Sequence, residues 1–326
     1  MANIFQSKEW AIFKTKSGYE KYYEISGVFV LQKRLPGGKT MLYSPMVDRT
    51  QEKVVRSKDF LDEIQKIAKE NKSIFYRLEL DIPSTLQLLP SSFVKAFEEM
   101  QPEHTLIIDI SADVETILAN MKQKGRYNIR VAEKSGIKIL KNKSIDGFYQ
   151  LYTTMAKRSK ISYRSKAYFQ SLIDLLTPNG YCEVFEAYLE QDLIKNQSDE
   201  ATNENIFDTL RPADYKLPPV PLAAAIVTYC GDRATYLFGG SSNENRNLKA
   251  PSLLQYEIIL DAKKRKCTEY DLFGIAPNDD ENHPWSGVTK FKKQFGGREV
   301  QLLGSYDLII KPLEYKLFKM AEKIRR

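Results

Sequence analysis

The stretch Tyr270–Gly297, YDLFGIAPNDDENHPWSGVTKFKKQFGG, is the most informative part of this 326-residue sequence. A strand-like run, Tyr270–Ile275, leads into a loop rich in glycine, proline and aspartate, and Lys290–Phe295 then places three lysines among two phenylalanines. A lysine beside an aromatic ring at a strand or loop end can bind a polyanion or stabilise an oxyanion, because the ring shields the ammonium from water. The alternative is a basic, solvated face whose phenylalanines fill the core, and the pattern alone favours that alternative.

The composition is typical of a soluble, folded chain. Hydrophobic residues make up 42% and charged residues 28% of the sequence, and at ~100–200 residues per domain the length predicts about two domains. The net charge of +7 favours an anionic partner. Residues 1–20 lack the apolar core of a signal peptide, and no apolar run approaches the ~18 residues of a membrane span, so we expect a cytoplasmic protein.

Cysteine and histidine are scarce, which limits the chemistry available. The three cysteines stand far apart, and the two histidines have no partner at metal-ligand spacing. A zinc site needs three or four such ligands, so a structural zinc finger is excluded and we expect no metal site. Nucleophilic relays that depend on histidine are disfavoured for the same reason. Glycine-rich loops of the dinucleotide-binding and ATP-binding types are missing.

Strand and helix patterns alternate irregularly in two blocks, which predicts an α+β fold with mixed sheets rather than one doubly wound sheet. The first block includes a strand at Ser73–Leu80 and a weaker helical pattern at Ser91–Met100. The second opens with the strand His104–Ile110 and the basic helical stretch Asp113–Ser135. The polar segment Gln191–Pro221 is too long for a structureless loop in a compact domain, so we interpret it as a mobile surface insertion.

Cations next to aromatic rings recur in two further segments. In KQKGRYNIRVAEK, residues 122–134, Lys122, Arg126 and Arg130 accompany a tyrosine and could bind a phosphate backbone, or could be an ordinary exposed helix face. Arg164, between two tyrosines that include Tyr168, carries a planar guanidinium suited to phosphate. Arginine between tyrosines is equally common in surface packing.

Two residues near the N-terminus are also candidates. Lys14 follows Trp10 by one helical turn in WAIFK, where a lysine whose stem covers a core helix is the simpler explanation. Glu79 ends a strand, where its carboxylate could receive a substrate amine or pair with the neighbouring Arg77. Each of these segments has an ordinary structural explanation when taken alone.

Together, these segments resemble the FemABX family, the non-ribosomal peptidyltransferases that add amino acids from aminoacyl-tRNA to the peptidoglycan stem peptide. The resemblance lies in the order of five motifs: WAIFK, KGRYNIRVAEKSGI, YTTMAKRSKISYRSKAYF, GGSS followed by APSLLQYEII, and the C-terminal motif quoted above. It covers nearly the whole chain apart from the segment 191–221. No heptad stretch fits between Pro251 and Tyr270, so the chain resembles the compact, FemX-like subtype without a coiled-coil arm.

The resemblance implies two tandem GNAT-like domains. Residues 1–104 with the returning C-terminal helix at 305–326 would form the muropeptide side, and residues 105–304 the aminoacyl-tRNA side. Lys14 and Arg164 match the family's diphosphate-binding positions. Tyr168 and Glu79 match positions that line the same substrate channel.

The resemblance also implies the reacting groups. Phe291 and Lys292 match the pair near the tRNA acceptor end, where the lysine would stabilise the reacting ester. The proton acceptor is left open between Glu79 and a ribose hydroxyl of the tRNA. Five cations are candidate tRNA contacts: Lys122, Arg126, Arg130, Lys290 and Lys293.

We therefore expect a monomeric aminoacyltransferase that moves an aminoacyl group from aminoacyl-tRNA to the stem-peptide amine of UDP-MurNAc-pentapeptide or lipid II. No other cofactor is expected, and peripheral contact with the inner face of the membrane is part of this expectation. One alternative is a CoA-dependent N-acyltransferase, although the glycine-rich turn that binds the CoA pyrophosphate is missing. The other is a noncatalytic RNA-binding module, for which RNA affinity would fall steeply with salt.

Overall fold

A computed structural model describes residues 3–84, 89–158, 162–194 and 220–325 of the chain. The predicted insertion 191–221 therefore lies largely outside the described residues. The strands are β1 (Lys21–Ile25), β2 (Val28–Leu35), β3 (Lys39–Asp48), β4 (Ser73–Pro83), β5 (Phe93–Lys95), β6 (His104–Asp109), β7 (Ile137–Asn142), β8 (Cys182–Leu189), β9 (Ala223–Cys230), β10 (Arg233–Ser241), β11 (Glu269–Gly274) and β12 (Arg298–Ile309). The main helices are α1 (Lys8–Thr15), α2 (Glu52–Val55), α3 (Lys58–Glu70), α4 (Val114–Asn120), α5 (Gln123–Lys134), α6 (Asp146–Arg158), α7 (Lys166–Leu176), α8 (Ala250–Lys264), α9 (Ser286–Lys292) and α10 (Pro312–Arg325).

The strands form one mixed sheet in the order β1-β2-β3-β4-β12-β6-β11-β10-β9-β8-β7, with β5 added on β12. β3 and β4 are parallel, as are β10 and β11, whereas the other described pairs are antiparallel. Strand β12 joins the first half of the sheet, β1–β4, to the second half, β6–β11. Its residues 298–301 pair with β6, and its residues 302–309 pair with β4. The predicted α+β class with a mixed sheet is confirmed. The predicted domain bounds stay a prediction, and the division at residues 304 and 305 lies inside β12.

Alternation along β4 divides the core of the first half into two layers. Leu78 faces α3 and packs with the apolar side of that helix. Phe75, Arg77 and Glu79 alternate with it and face the other side, because successive strand residues point to opposite faces. This second face is covered by α1 and α10, and the Tyr315 ring of α10 lies 5.3 Å from that of Phe75.

The N-terminal helix α1 packs between the two halves of the molecule. Its N-cap is Ser7, whose hydroxyl accepts a hydrogen bond of 3.1 Å from the Trp10 backbone N–H. Trp10 and Phe13 pack into the core formed with α6 and α7 in the second half. Ala11 packs with the first half under α10. Because neighbouring positions on one helix face different halves, the C-terminal end of α1 lies in the groove between them.

The helix predicted at Ser91–Met100 is wrong. Residues 93–95 form the short strand β5, which pairs with β12 and buries Phe93 in the core below α3. Phe97 is packed on the opposite side of the sheet, against α10. The hydrogen bonds to β12 and the burial of two rings on different faces outweigh the weak helical spacing of the segment.

The basic stretch Asp113–Ser135 is helical, as predicted, but it is two helices rather than one. Met121 has an extended backbone, with φ −73° and ψ 150°, and its side chain is buried. The N–H of Lys122 donates to the Gln294 carbonyl at 3.0 Å, a contact that starts α5 against the C-terminal motif. Across the described ranges, no helix is long and apolar enough to cross a lipid bilayer.

Candidate active site

The Lys14 ammonium lies at the end of α1, above a set of aromatic rings. Its Nζ is 4.9 Å from the Tyr19 ring centroid and 5.8–5.9 Å from three others, those of Trp10, Phe13 and Tyr168. Burial, followed by the charge of Arg164, lowers the pKa of Lys14 to about 8. Among the described residues, no carboxylate forms an ion pair with Lys14. A partly buried cation without an anionic partner is suited to binding an anionic ligand.

Arg164 lies beside Lys14 at the start of α7. Its guanidinium stacks 5.2 Å from the Tyr168 ring, the same ring that Lys14 contacts from the other helix. A cavity of about 410 Å³ opens here between the end of α1 and the start of α7, which we call the α1–α7 cleft. Its lining is Lys16, Ser17, Gly18, Tyr163, Arg164, Ser165, Ala167 and Tyr168. The structure therefore brings together three of the predicted substrate-binding side chains.

The fourth, Glu79, is buried in the first half, one layer below the α1–α7 cleft. Three donors hold its carboxylate: the Tyr43 hydroxyl, the Gln101 backbone N–H at 2.8 Å and Ser305 Oγ at 3.1 Å. Burial raises the pKa of Glu79 to about 7 in spite of these hydrogen bonds. Tyr43 stacks at 6.3 Å on Tyr19, whose ring lies under the Lys14 ammonium. Glu79 is thus linked to the cleft through two tyrosines rather than by opening into it.

The Lys292 ammonium lies in the second half and is only 6% exposed. It donates to the Gly274 carbonyl at 2.6 Å and to the Phe273 carbonyl at 3.3 Å, and it lies 5.7 Å from the Tyr236 ring. Burial lowers the pKa of Lys292 to about 8, and the charge of Asp271 opposes that change. Lys292 is therefore a buried ammonium that two carbonyls, an aromatic ring and a nearby carboxylate hold at the end of β11.

Asp271 shapes the backbone that receives this ammonium. Its carboxylate accepts a hydrogen bond from the Thr105 hydroxyl and another, at 2.8 Å, from the Phe273 N–H. Phe273 has φ +59°, and the pairing of β11 with β6 shifts register between Asp271 and Gly274. A bulge of this kind re-aims the backbone at a strand end. Here it directs two consecutive carbonyls toward Lys292.

A wall of aromatic rings connects the two ammonium groups. The Phe273 ring, whose carbonyl contacts Lys292, stacks on Phe5 at 5.8 Å. Phe5 meets Trp10 edge-on at 4.6 Å, and Trp10 is one of the rings beneath Lys14. The N-terminal segment therefore spans from one predicted site to the other.

Strand β10 makes a second connection between the same two regions. It carries Tyr236, which lies beside Lys292, and Phe238, which meets Tyr168 edge-on at 6.3 Å. Tyr168 in turn carries the Arg164 guanidinium. The pairing of β10 with β9 shifts register between Tyr236 and Phe238, and the two rings pack against different core clusters. Strand β10 therefore connects the surroundings of Lys292 to the α1–α7 cleft along its backbone, whereas the rings of Phe273, Phe5 and Trp10 make the side-chain connection.

Phe291, the predicted partner of Lys292, lies on a different side of α9. Its ring packs into the core under α5 and α8 and meets Phe295 edge-on at 5.2 Å. Adjacent helix positions are about 100° apart around the axis, so the two side chains diverge. The contacts of Phe291 are those of a packing residue that anchors α9, and its catalytic role stays a prediction.

Helix α5, with its predicted tRNA-binding cations, docks directly on the C-terminal motif. The side-chain amide of Asn128 donates to the Gln294 amide oxygen at 2.9 Å, next to the backbone contact made by Lys122. Gly125 lies so close to Gln294 that a Cβ there would clash with its carbonyl oxygen. The close approach brings Lys122 near Asp279, whose pKa is lowered by Lys293 and, more weakly, by Lys122 and Lys290.

The five cations predicted to bind tRNA differ in their exposure and in whether other groups of the protein pair with them. Lys122 and Arg130 are exposed, and no ion pair holds either of them within the described ranges. Lys290 is exposed and pairs with Glu281 at 2.7 Å. Lys293 is largely covered between two carboxylates, those of Asp279 and Glu299. Arg126 donates to carbonyls at the end of α4, including those of Ala119 at 3.2 Å and Met121.

Sequence reasoning missed three side chains that shape this region: Asp271, Tyr19 and Tyr236. A signal for Asp271 was present, since an acidic residue in the otherwise apolar run YDLFG must find a partner when the strand is buried. The two tyrosines gave no such signal, because buried aromatic residues are common in any core. Their closeness to Lys14 and Lys292 is a property of the tertiary structure alone.

Comparison with known proteins agrees with this geometry. A model of the FemAB family matches residues 91–218 and 186–323 of the chain. The lipid II:glycine glycyltransferase of Staphylococcus saprophyticus is 23% identical and covers 81% of this chain and 75% of its own length. That of Staphylococcus aureus strain MRSA252 is also 23% identical, with 99% and 91% covered. The predicted enzyme class, an aminoacyltransferase, is the class that the names of these relatives state.

Solved structures share the fold. The crystal structure of FemX superposes with a TM-score of 0.78 at 22% identity, covering 98% of this chain and 95% of that one. The C-terminal domain of a putative lysylphosphatidylglycerol synthetase from Agrobacterium fabrum gives a TM-score of 0.54 at 12% identity and covers 93% and 88%. The family model spans well over half of the sequence, and the FemX fold extends over almost all of it. The chain belongs to the FemAB family.

Proposed function

We propose that the protein transfers an aminoacyl group from aminoacyl-tRNA to the stem-peptide amine of a peptidoglycan precursor, lipid II or its UDP-linked counterpart. The curated relatives are named for glycine transfer to lipid II, which supports an acceptor of this class. The proposal places the reaction in the cytoplasm, on a monomeric enzyme, with no cofactor besides the tRNA co-substrate. The observation that carries it is the buried Lys292 ammonium, which backbone carbonyls hold in place and which the rings of Phe273, Phe5 and Trp10 connect to the Lys14 ammonium.

The acceptor would bind in the α1–α7 cleft. Lipid II and UDP-linked muropeptides both carry a diphosphate. Arg164 lines the cleft, and Lys14 lies next to it on the Tyr168 ring. Among the described residues, no carboxylate forms an ion pair with either cation. A guanidinium binds phosphate oxygens in pairs, whereas the ammonium acts as a compact point charge. Stacking on Tyr168 orients Arg164 before the ligand arrives, which reduces the entropy lost on binding.

The reaction would be aminolysis of an ester. The neutral amine nitrogen attacks the aminoacyl carbonyl carbon, a C–N bond forms, and the carbonyl oxygen becomes an oxyanion. Collapse of this intermediate breaks the C–O bond to the tRNA ribose, and the proton lost by the amine is taken up by the leaving ribose oxygen. Lys292 would stabilise the oxyanion, a contribution of about 3–4 kcal/mol if it matches that of an oxyanion-hole donor.

The route of that proton is proposed to run through the tRNA rather than through Glu79. The Glu79 carboxylate is buried and already accepts three hydrogen bonds, and two tyrosines separate it from the cleft. A vicinal ribose hydroxyl is next to the scissile ester in the substrate itself. Glu79 then acts by positioning Tyr43, and through it Tyr19, under the Lys14 ammonium.

The tRNA would approach along α5 and α9. Lys122, Arg130 and Lys290 present charge at this surface, whereas Arg126 and Lys293 are engaged by partners within the protein. Phosphate contacts through exposed cations give affinity that falls with salt and carries little sequence information. This surface adjoins Lys292 through α9 itself.

Reconstitution tests the proposal directly. The protein is mixed with charged tRNAs and with UDP-linked or lipid-linked pentapeptide, and the acceptor is weighed by mass spectrometry. The expected product is heavier than the acceptor by one amino-acid residue and forms only with charged tRNA. Acetyl-CoA is offered in parallel as the donor. Acetylation of a substrate by acetyl-CoA, with no transfer from any charged tRNA, would contradict the proposal.

A further inference from the structure

Helix α10 carries an apolar stripe on the side that faces away from the protein. Its four members are among the most exposed large hydrophobic side chains described: Leu313 at 80%, Leu317 at 66%, Met320 at 53% and Ile324 at 85%. The spacing of four, three and four residues aligns them along one side of the helix. The opposite side is the one that packs, through Tyr315 and Phe318, on the sheet.

A row of lysines borders this stripe. Lys316, Lys319 and Lys323 follow the same helical spacing, about a quarter-turn from the apolar side chains. No ion pair holds any of the three among the described residues, whereas Glu314 and Glu322 pair with Lys39 and Arg325. The outer surface of α10 therefore combines exposed hydrophobic area with positive charge that is not neutralised.

We propose that α10 binds the surface of an anionic lipid bilayer, with the apolar stripe inserted at the level of the headgroups and the lysine row against lipid phosphates. A helix with one apolar face and a basic border lies in the plane of the interface and does not cross it. Cations near an anionic leaflet add attraction that decays within a Debye length and is weakened by salt.

A second copy of the chain fits this surface less well. A specific protein interface usually involves about 20–30 residues on each side, far more than four side chains along one helix. Two copies joined by the stripe would also bring two lysine rows together, and the chain already carries a net charge of +7. A lipid surface supplies the opposite charge and needs no such area.

The position of α10 gives this binding a consequence. The helix covers the face of the sheet that carries Glu79, and its Tyr315 packs in the same core cluster as Tyr19 and Tyr43 beside the α1–α7 cleft. Membrane binding through α10 would hold that cleft near the bilayer. The proposal uses different residues from the proposed reaction, so either can fail without the other.

Flotation with lipid vesicles, in the absence of tRNA and muropeptide, tests the proposal. The full chain should bind vesicles that contain phosphatidylglycerol and bind pure phosphatidylcholine vesicles at least tenfold more weakly. The double variant Leu317→Glu and Ile324→Glu should lose at least tenfold in affinity, because each carboxylate would enter the apolar layer. Replacing the three lysines with glutamine should weaken binding by roughly tenfold or more and remove most of its salt dependence.

The matched control is Leu140→Glu with Val94→Glu, which alters two exposed hydrophobic residues outside α10. It should bind vesicles as the unmodified protein does. Unfolding temperatures of all variants show whether each is folded. The lysine variant changes three surface side chains that no ion pair holds among the described residues, so it keeps the test valid if a stripe variant is unstable. Absence of binding to anionic vesicles, or equal binding by the stripe variant, would overturn the proposal. So would a dimer, seen by ultracentrifugation, that only the stripe variant loses.

Discussion

Two lysines of this protein share a pKa lowered to about 8 by burial, yet their surroundings are opposite in kind. Lys14 lies among aromatic rings, and the charges of Arg164 and Lys33 repel it. Lys292 donates to two carbonyls, and the charge of Asp271 attracts it. The first environment leaves the cation in need of an anion, as a binding site does. The second holds the cation fixed, as a site that must meet a transient charge does.

The strongest test of this contrast is removal of the Lys292 ammonium. Lys292→Met should lower kcat by about 100- to 1000-fold, because the oxyanion loses its stabilising charge. The variant should remain folded, since methionine removes a charge whose burial is unfavourable. Turnover is measured with charged tRNA and acceptor, alongside the unfolding temperature.

The matched control for that variant is Lys263→Met. Lys263 also donates to backbone carbonyls, those of Ile110 and Ser111 at 3.2 Å, but it lies at the end of α8. Its loss tests the structural effect of removing an ammonium from carbonyl groups, and activity should stay near normal. Near-normal turnover by Lys292→Met would remove Lys292 from the mechanism.

Arg164, the cation beside Lys14 in the α1–α7 cleft, should instead govern binding of the acceptor. Arg164→Ala is expected to raise KM for the diphosphate-bearing acceptor by roughly 10- to 100-fold with little change in kcat, because charge-assisted hydrogen bonds in the ground state are lost. Lys166→Ala is the control, since this nearby cation is paired with Asp146. An unchanged KM in Arg164→Ala, or an equal change in the control, would contradict the assignment.

The pH dependence of turnover separates the two lysines. A lysine-type acceptor amine, with a pKa near ~10.4, becomes more reactive as pH rises, but above about pH 8 Lys292 loses its charge. The rate at saturating acceptor should therefore stop rising near pH 8. Lys292→Arg, if active, should let it continue to rise, whereas Lys14→Arg should leave the break in kcat where it is.

Asp271→Asn sharpens the same experiment. The Asp271 charge raises the pKa of Lys292, so its removal should move the break to lower pH, by about one unit. The asparagine oxygen can still accept the hydrogen bond from the Phe273 N–H, which preserves the turn. Thr105→Val, which removes only a neighbouring hydroxyl, serves as the comparison. An unmoved break in Asp271→Asn would show that Asp271 does not act through Lys292.

The smallest expected effect concerns stability through Glu79. Its pKa is about 7 in the folded protein against 4.5 when unfolded, so the folded state binds more protons between these values. The contribution of Glu79 to stability should therefore fall as pH rises from about 4.5 to 7. In Glu79→Gln this fall should shrink, reducing the difference in unfolding temperature between pH 4.5 and pH 8 by about 2–4 °C. The exposed substitution Glu63→Gln should leave the difference unchanged, and an equal fall in Glu79→Gln would contradict the assignment.

Much of the fold was predictable because local patterns and tertiary packing agree. The strand predicted at Ser73–Leu80 alternates two buried faces in β4, and the helical turn from Trp10 to Lys14 lies in α1. The helix predicted at Ser91–Met100 failed because its phenylalanines serve two different core clusters. The spacing of residues in this segment gives no information about β12, the strand that pairs with β5, because β12 lies about two hundred residues later in the chain.

The candidate site also has features that the sequence predicts and features that depend on folding. The family, the α+β class and the cationic side chains that an anionic substrate and an oxyanion require could all be predicted from the sequence, because motifs and residue types are local properties. Which of those cations are available to a ligand became apparent from the folded structure. Arg126 and Lys293 are engaged by groups within the protein, whereas Lys14 and Arg164 share a ring and have no described carboxylate partner. Electrostatic environment depends on neighbours that the chain brings together from distant positions, and so it is set by folding rather than by order along the sequence.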